Sequence, residues 1–125
     1  MEQRRYQTGK HLEAFILLLI QQNKDHGGGV LSRLKGWLPD AWVIDSGRLY
    51  RYLRDLEDTG YLTSQWLLTD GVPTIRVYEI TDKGVARLQE WAEEIALRQK
   101  TLGNFLGLWS DLNERNVEHA RSDEE

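Results

Sequence analysis

Apolar and polar positions along the chain mark out four helices and a hairpin. Between Gly9 and Asn23, Leu12, Phe15, Ile16, Leu19 and Ile20 recur at spacings of 3, 1, 3 and 1, the stripe of a core-facing helix. Leu17 and Leu18 widen that stripe, so the helix is expected to be covered on more than one side. The polar, glycine-rich run from Asn23 to Gly29 breaks the pattern. A shorter helix is then expected to start near Gly28 or Gly29, carry Val30, Leu31 and Leu34 with Trp37 and Leu38, and end at Pro39-Asp40. Ala41-Trp42-Val43-Ile44 is too short to assign. Asp45-Ser46 offers an N-cap pair for a third helix from Ser46 to Thr59, which Gly60 ends. Tyr61–Leu68 and Ile75–Thr81 read as strands, joined through Thr69-Asp70-Gly71-Val72-Pro73 with its Asp-Gly turn. Thr81 is placed to cap a last helix that begins near Asp82.

That last helix has the most regular pattern in the chain. Val85, Leu88, Ala92, Ile95, Gln99, Leu102, Leu106 and Trp109 are separated by 3, 4, 3, 4, 3, 4 and 3, an a/d heptad. A helix of ~25 residues spans ~38 Å, more than three short helices and a hairpin can cover. Its seam is therefore expected to meet the same helix of a second chain. Gly103 and Gly107, one turn apart, interrupt good helix formers and leave two readings open. Either the helix bends there, or it ends near Thr101 and a short further helix carries Phe105, Leu106 and Trp109. The expected organisation is residues 1–81 as one folding domain, 82–112 as the dimerising helix, and 113–125 as a polar tail that frays.

Composition removes several functions. Of 125 residues, 40% are hydrophobic and 29% charged, which suits one globular domain. With no cysteine there is no disulfide framework, cysteine zinc site, iron–sulfur cluster or thiol nucleophile. The longest apolar run, Phe15 to Ile20, is far short of the ~20 residues that span a bilayer. Met1-Glu2-Gln3-Arg4-Arg5 is not followed by the core of a signal peptide, and a cytoplasmic protein is expected, without a membrane partner. The net charge is −4, unevenly spread. Residues 1–60 carry nine Lys/Arg against eight Asp/Glu, whereas residues 61–125 carry seven against twelve. The front of the chain is thus the part able to approach an anion.

Catalytic patterns are missing. Gly27-Gly28-Gly29 lacks the Gly-Lys-Ser/Thr ending of a phosphate loop and follows a helix, so it reads as a helix-start linker. His11, His26 and His119 have no metal-ligand spacing, and Ser32, Ser46, Ser64 and Ser110 lie in no nucleophile elbow. No cofactor, metal or enzymatic activity is expected.

The third helix does carry candidate chemistry. At ~100° per residue, Leu49, Leu53 and Leu56 share one side, while Arg51 and Arg54 point away from it, flanked by Arg48 and Tyr50. Arginine forks suit guanine edges and phosphates, and a tyrosine hydroxyl can bond phosphate. The plainer account is a solvated face, with Asp55, Glu57 and Asp58 pairing the arginines. The order helix, helix, capped basic helix, hairpin favours the first, because it is the order of a winged helix, whose third helix enters the major groove. Five tryptophans are many for this length. Trp91 and Trp109, in or beside the seam, either fill core and interface or wall a flat apolar pocket for a small effector.

In this order the chain resembles the PadR family of bacterial transcriptional regulators, from about Leu12 to Trp109. The fragments are His26-Gly27, Ser46-Gly47-Arg48-Leu49-Tyr50, Leu53-Arg54-Asp55-Leu56-Glu57, Gly60-Tyr61-Leu62, and Arg76-Val77-Tyr78-Glu79-Ile80-Thr81-Asp82-Lys83-Gly84. The resemblance implies an α+β, mainly α, winged helix-turn-helix with a long C-terminal dimerisation helix, acting as a repressor. Two departures stand out: Arg51 where many members carry proline, and Val72-Pro73-Thr74-Ile75 where the family offers more basic residues. Arg51 and Trp91-Ala92 are similar to the subgroup described as poly-β-hydroxybutyrate-responsive repressors.

The expected function is a homodimeric DNA-binding regulator of double-stranded DNA. Ser46, Arg48, Tyr50, Arg51 and Arg54 are expected to contact DNA from the third helix and Arg76 from the wing. Leu88, Trp91, Ala92, Ile95, Leu102, Leu106 and Trp109 are expected at the dimer interface or around a small apolar or aromatic effector. The alternative is a dimeric winged-helix adaptor that contacts protein, favoured by the acidic total and the thin wing and opposed by the outward arginines.

Overall fold

The apolar stripe of the first helix becomes the centre of the core. In the computed structural model, which describes residues 11–38 and 44–124 with side chains as far as Arg121, α1 (Leu12–Gln22) buries Leu12, Ala14, Ile16, Leu17, Leu19 and Ile20. Leu18 remains partly exposed, so the helix is covered broadly but not all round. The expectations at Gly9, Pro39-Asp40 and residues 41–43 lie outside the described residues. After α1 come β1 (Asp25–His26), α2 (Gly27–Lys35), α3 (Ser46–Asp58), β2 (Leu62–Thr69), β3 (Val72–Ile80) and α4 (Asp82–Glu124).

The break after α1 is ordered. Asp25 and His26 add a short antiparallel strand to β3, giving a three-stranded sheet in the order β1-β3-β2. Its polar sequence hid it, since two residues show no periodicity. Arg33 of α2 ties this corner down, donating to the Leu19 carbonyl at 2.8 Å and to Gln22 Oε1 at 3.0 Å. Val30 and Leu34 of α2, Leu49, Leu53 and Leu56 of α3, and Leu62 and Tyr78 of the sheet complete the core around α1. The fold is mainly helical with a small antiparallel sheet, a winged helix.

The hairpin turns at Asp70 and Gly71, both at positive φ (53° and 80°), as a two-residue Asp-Gly turn requires. From there Thr69 pairs with Val72 and Leu68 with Pro73, so β3 starts at Val72, earlier than the expected Ile75. A bulge between Leu67 and Leu68 then shifts the ladder, setting Leu67 opposite Ile75 and Trp66 opposite Arg76.

Thr81 caps α4 as expected, its hydroxyl accepting from the Gly84 amide at 3.1 Å. Two compact units divide the chain, Met1–Glu90 and Trp91–Glu125, so residues 82–90 of α4 belong with the winged helix. Within the second unit the helix passes without interruption through Gly103 and Gly107 and on to Glu124. A helix end near Thr101 is thereby corrected, and residues 113–124, expected to fray, are helical.

Candidate nucleic-acid interface

The candidate interface starts with how α3 is capped and anchored. The Asp45 carboxylate accepts from the amides of Gly47 (3.0 Å) and Arg48 (3.4 Å), fixing the first turn. Leu49, Leu53 and Leu56 bury the inner face. Ser46, Arg48, Tyr50, Arg51 and Arg54 are left on the exposed side. Among the described residues, the side chains of Arg48, Arg51 and Arg54 make no hydrogen bond or ion pair, so the i, i+4 pairing offered by Asp55 and Asp58 is not formed. Three unneutralised guanidinium groups therefore project from one short helix. The Tyr50 ring lies over Gly27 at the start of α2, where a Cβ would overlap its Cε1.

Arg76 is placed differently. Its Nη2 donates to Glu57 Oε2 of α3 at 2.6 Å and its Nε to Ser64 Oγ of β2 at 2.8 Å, while Ser64 also donates to Glu57 Oε1. The hydrogen bond to Glu57 holds the Arg76 guanidinium above its usual pKa despite some desolvation. Its Cζ lies 5.9 Å from the Trp66 ring centre and 5.7 Å from that of Tyr78. Burial raises the Tyr78 hydroxyl pKa, with Arg76 opposing. Arg76 thus fastens the wing to α3 and does not share the free surface of the other arginines.

Sequence reasoning did not single out Trp66, and it weighed Glu57 only as a partner of the α3 arginines and Ser64 only as a nucleophile. Trp66 is 55% exposed and, with Tyr50, Arg76 and Tyr78, walls an open cleft of about 310 Å³ between α3, the wing and the start of α2. An apolar residue at an outward wing position was the one available signal.

The seam residues separate. Trp91 is buried, at 9% exposure, and Leu88 is half-buried, while Ala92 and Ile95 are exposed. Leu102 (63%), Leu106 and Trp109 (57%) are open in the single chain. Leu97, Phe105, Leu108, Leu112 and Val117 are open too, so the apolar surface is wider than an a/d seam.

Residues 16–90, more than half of the chain, match the transcriptional regulator PadR-like family. The chain belongs to this family. PadR-like proteins are transcriptional regulators, not enzymes, which agrees with the lack of catalytic patterns in the sequence. The PadR-like transcriptional regulator BC4206 from Bacillus cereus has the same fold, at 23% identity and a TM-score of 0.69 over 79% of this chain and 94% of that one. A transcriptional regulator from Clostridium thermocellum gives 0.70 at 23% identity, over 78% and 91%. TM0937, described as a conserved protein of unknown function and a potential transcriptional factor, is 30% identical with a TM-score of 0.62, over 82% and 93%. The probable transcriptional regulator Rv1176c of Mycobacterium tuberculosis is 28% identical over 79 residues, which are 63% of this chain and 42% of that protein. The chain thus spans less than half of that relative. None of the described helices is long and apolar enough to cross a membrane.

Proposed function

We propose that this PadR-like regulator is a homodimeric repressor whose α3 reads a pseudo-palindromic operator in double-stranded DNA. The observation that carries the reading is the set of exposed, unpaired guanidinium groups of Arg48, Arg51 and Arg54 on a capped helix beside a wing. Arg51 and Arg54 face outward most directly and take base edges; Ser46, Arg48 and Tyr50 take phosphates. Residues 1–81 read DNA, and 82–112 pair two copies so that their α3 helices meet half-sites ~34 Å apart. An apolar or aromatic effector lodged against Trp91, Ile95 or Trp109 releases the repressor by binding its two arrangements unequally.

The test is binding to the duplex upstream of the protein's own gene, measured across salt. Log K falls against log salt in proportion to the phosphates neutralised. Arg51→Ala or Arg54→Ala costs ~1–3 kcal/mol and relaxes preference at one operator position, whereas Arg48→Ala weakens all sequences alike and lowers the salt slope by about one. Unchanged affinity in all of these variants would remove α3 from the interface. An adaptor that contacts protein is the competing reading, favoured by a wing whose span from Leu62 to Ile75 holds one charge, Asp70. It predicts no salt-dependent affinity for any duplex.

A further inference from the structure

The wing of a DNA-reading winged helix needs something to offer the duplex, and this one has no free cation. Between Leu62 and Ile75 the only ionisable residue is Asp70, an acid. The following arginine, Arg76, is held by Glu57 and Ser64. What the wing exposes beside α3 is the indole of Trp66, next to Tyr50 across one open cleft.

The geometry points to Trp66 as a further DNA contact, made by its apolar ring against sugar and groove wall, with Arg76 as the residue that positions it. The inference rests on α3 reading DNA. Trp66 and Arg76 are cross-strand partners, and the guanidinium lies 5.9 Å from the indole centre. Planar guanidinium against an aromatic face is a favourable and directional pairing. Because Glu57 belongs to α3, the chain of contacts Glu57–Arg76–Trp66 sets the indole in register with the recognition helix. Each link uses a side chain that a phosphate-binding wing would leave free. Apolar side chains in a DNA groove are a known mode of contact, and they release no counterions. The wing therefore adds affinity that salt does not screen.

Binding of a fluorescent duplex spanning the DNA upstream of the gene is measured across salt for the parent, Trp66→Ala, Arg76→Gln and the double variant, each checked by thermal melting. Trp66→Ala weakens binding about tenfold, or ~1.4 kcal/mol, with the salt slope unchanged; Trp66→Phe retains most of the affinity. Arg76→Gln weakens binding to a similar extent, again with the slope unchanged, and the double variant is little weaker than either single one because both remove one contact. If Arg76→Gln melts early, Arg76→Lys replaces it; lysine keeps the charge but not the planar two-point hold, so weakened binding is expected. Parent-like affinity in Trp66→Ala overturns the contact while leaving α3 as the reader, and marks the wing as free for a protein. A slope lowered by about 0.9 in Arg76→Gln overturns the positioning role, because it reveals a phosphate contact. A parent with no salt-dependent DNA affinity overturns the reading of α3, and this inference with it.

Discussion

Tyr50 shows how a single glycine shapes the candidate interface. Its ring occupies the space that a side chain on Gly27 would need, so the absence of a Cβ there decides where the hydroxyl of an α3 residue sits. Tyr50 is 45% exposed and free to swing aside, so the overlap is relieved by moving the ring and not by distorting the core. Gly27→Ala is therefore expected to change stability by no more than ~1 kcal/mol, the scale of the glycine-to-alanine helix preference. It is expected to weaken operator binding to the same degree as Tyr50→Phe. Thermal melting beside duplex binding checks both halves, and wild-type binding by Gly27→Ala would show that Tyr50 touches no DNA. The neighbouring arginines follow another logic. Glu57, the one acid of α3 that makes an ion pair, bonds across to Arg76 and leaves Arg48, Arg51 and Arg54 unneutralised.

Among the elements, α4 departs furthest from expectation. Its glycines at 103 and 107 interrupt neither the helix nor its hydrogen bonding, and nothing described lies within 4 Å of a Cβ built at either. In the single chain both are plain costs of ~1 kcal/mol each relative to alanine. Replacing both with alanine is expected to raise the melting temperature and to leave the proposed dimer intact. Calorimetry decides the matter. A lowered melting temperature would mean that another backbone packs closely against these positions in the assembly, which is the service glycine offers at a helix surface. The same experiment tests the bend suggested by the sequence, because altered operator affinity with unchanged dimerisation would show that helix flexibility sets the spacing of the reading heads.

Taken whole, the molecule leaves a broad apolar surface open along α4. Leu97, Leu102, Phe105, Leu106, Leu108, Trp109 and Leu112 are all more than half exposed on one helix. Contiguous patches of this kind mark an interface. The proposed pairing with a second copy would cover them and would supply the two-fold symmetry of the proposed pseudo-palindromic operator. Leu102→Glu places an unpaired carboxylate inside that surface, at a cost of several kcal/mol if buried. Sedimentation is expected to show monomers or unfolded chain, with operator affinity lost in step. A Leu102→Glu dimer as tight as the parent would exclude this seam.

The sequence by itself determined the elements whose signals are local. Leu12, Ile16, Leu19 and Ile20 form the core face of α1 because helical period is a property of spacing alone. Asp45 caps α3, Thr81 caps α4 and Asp70-Gly71 turns the hairpin through short-range hydrogen bonds and backbone preferences. The outward set Arg48, Tyr50, Arg51 and Arg54 was likewise legible from helical geometry. Tertiary structure decided what depends on distant partners. Two polar residues, Asp25 and His26, become a strand only because β3 offers them a ladder. An unbroken ladder from the Asp70-Gly71 turn would have set Trp66 opposite Ile75; the bulge sets it opposite Arg76 instead. That one-residue shift moves Arg76 to the face of the sheet that Ser64 and Trp66 share, where Glu57 captures it. The sequence placed Arg76 on the wing, and the register of two strands against α3 set it beside Glu57 and Ser64.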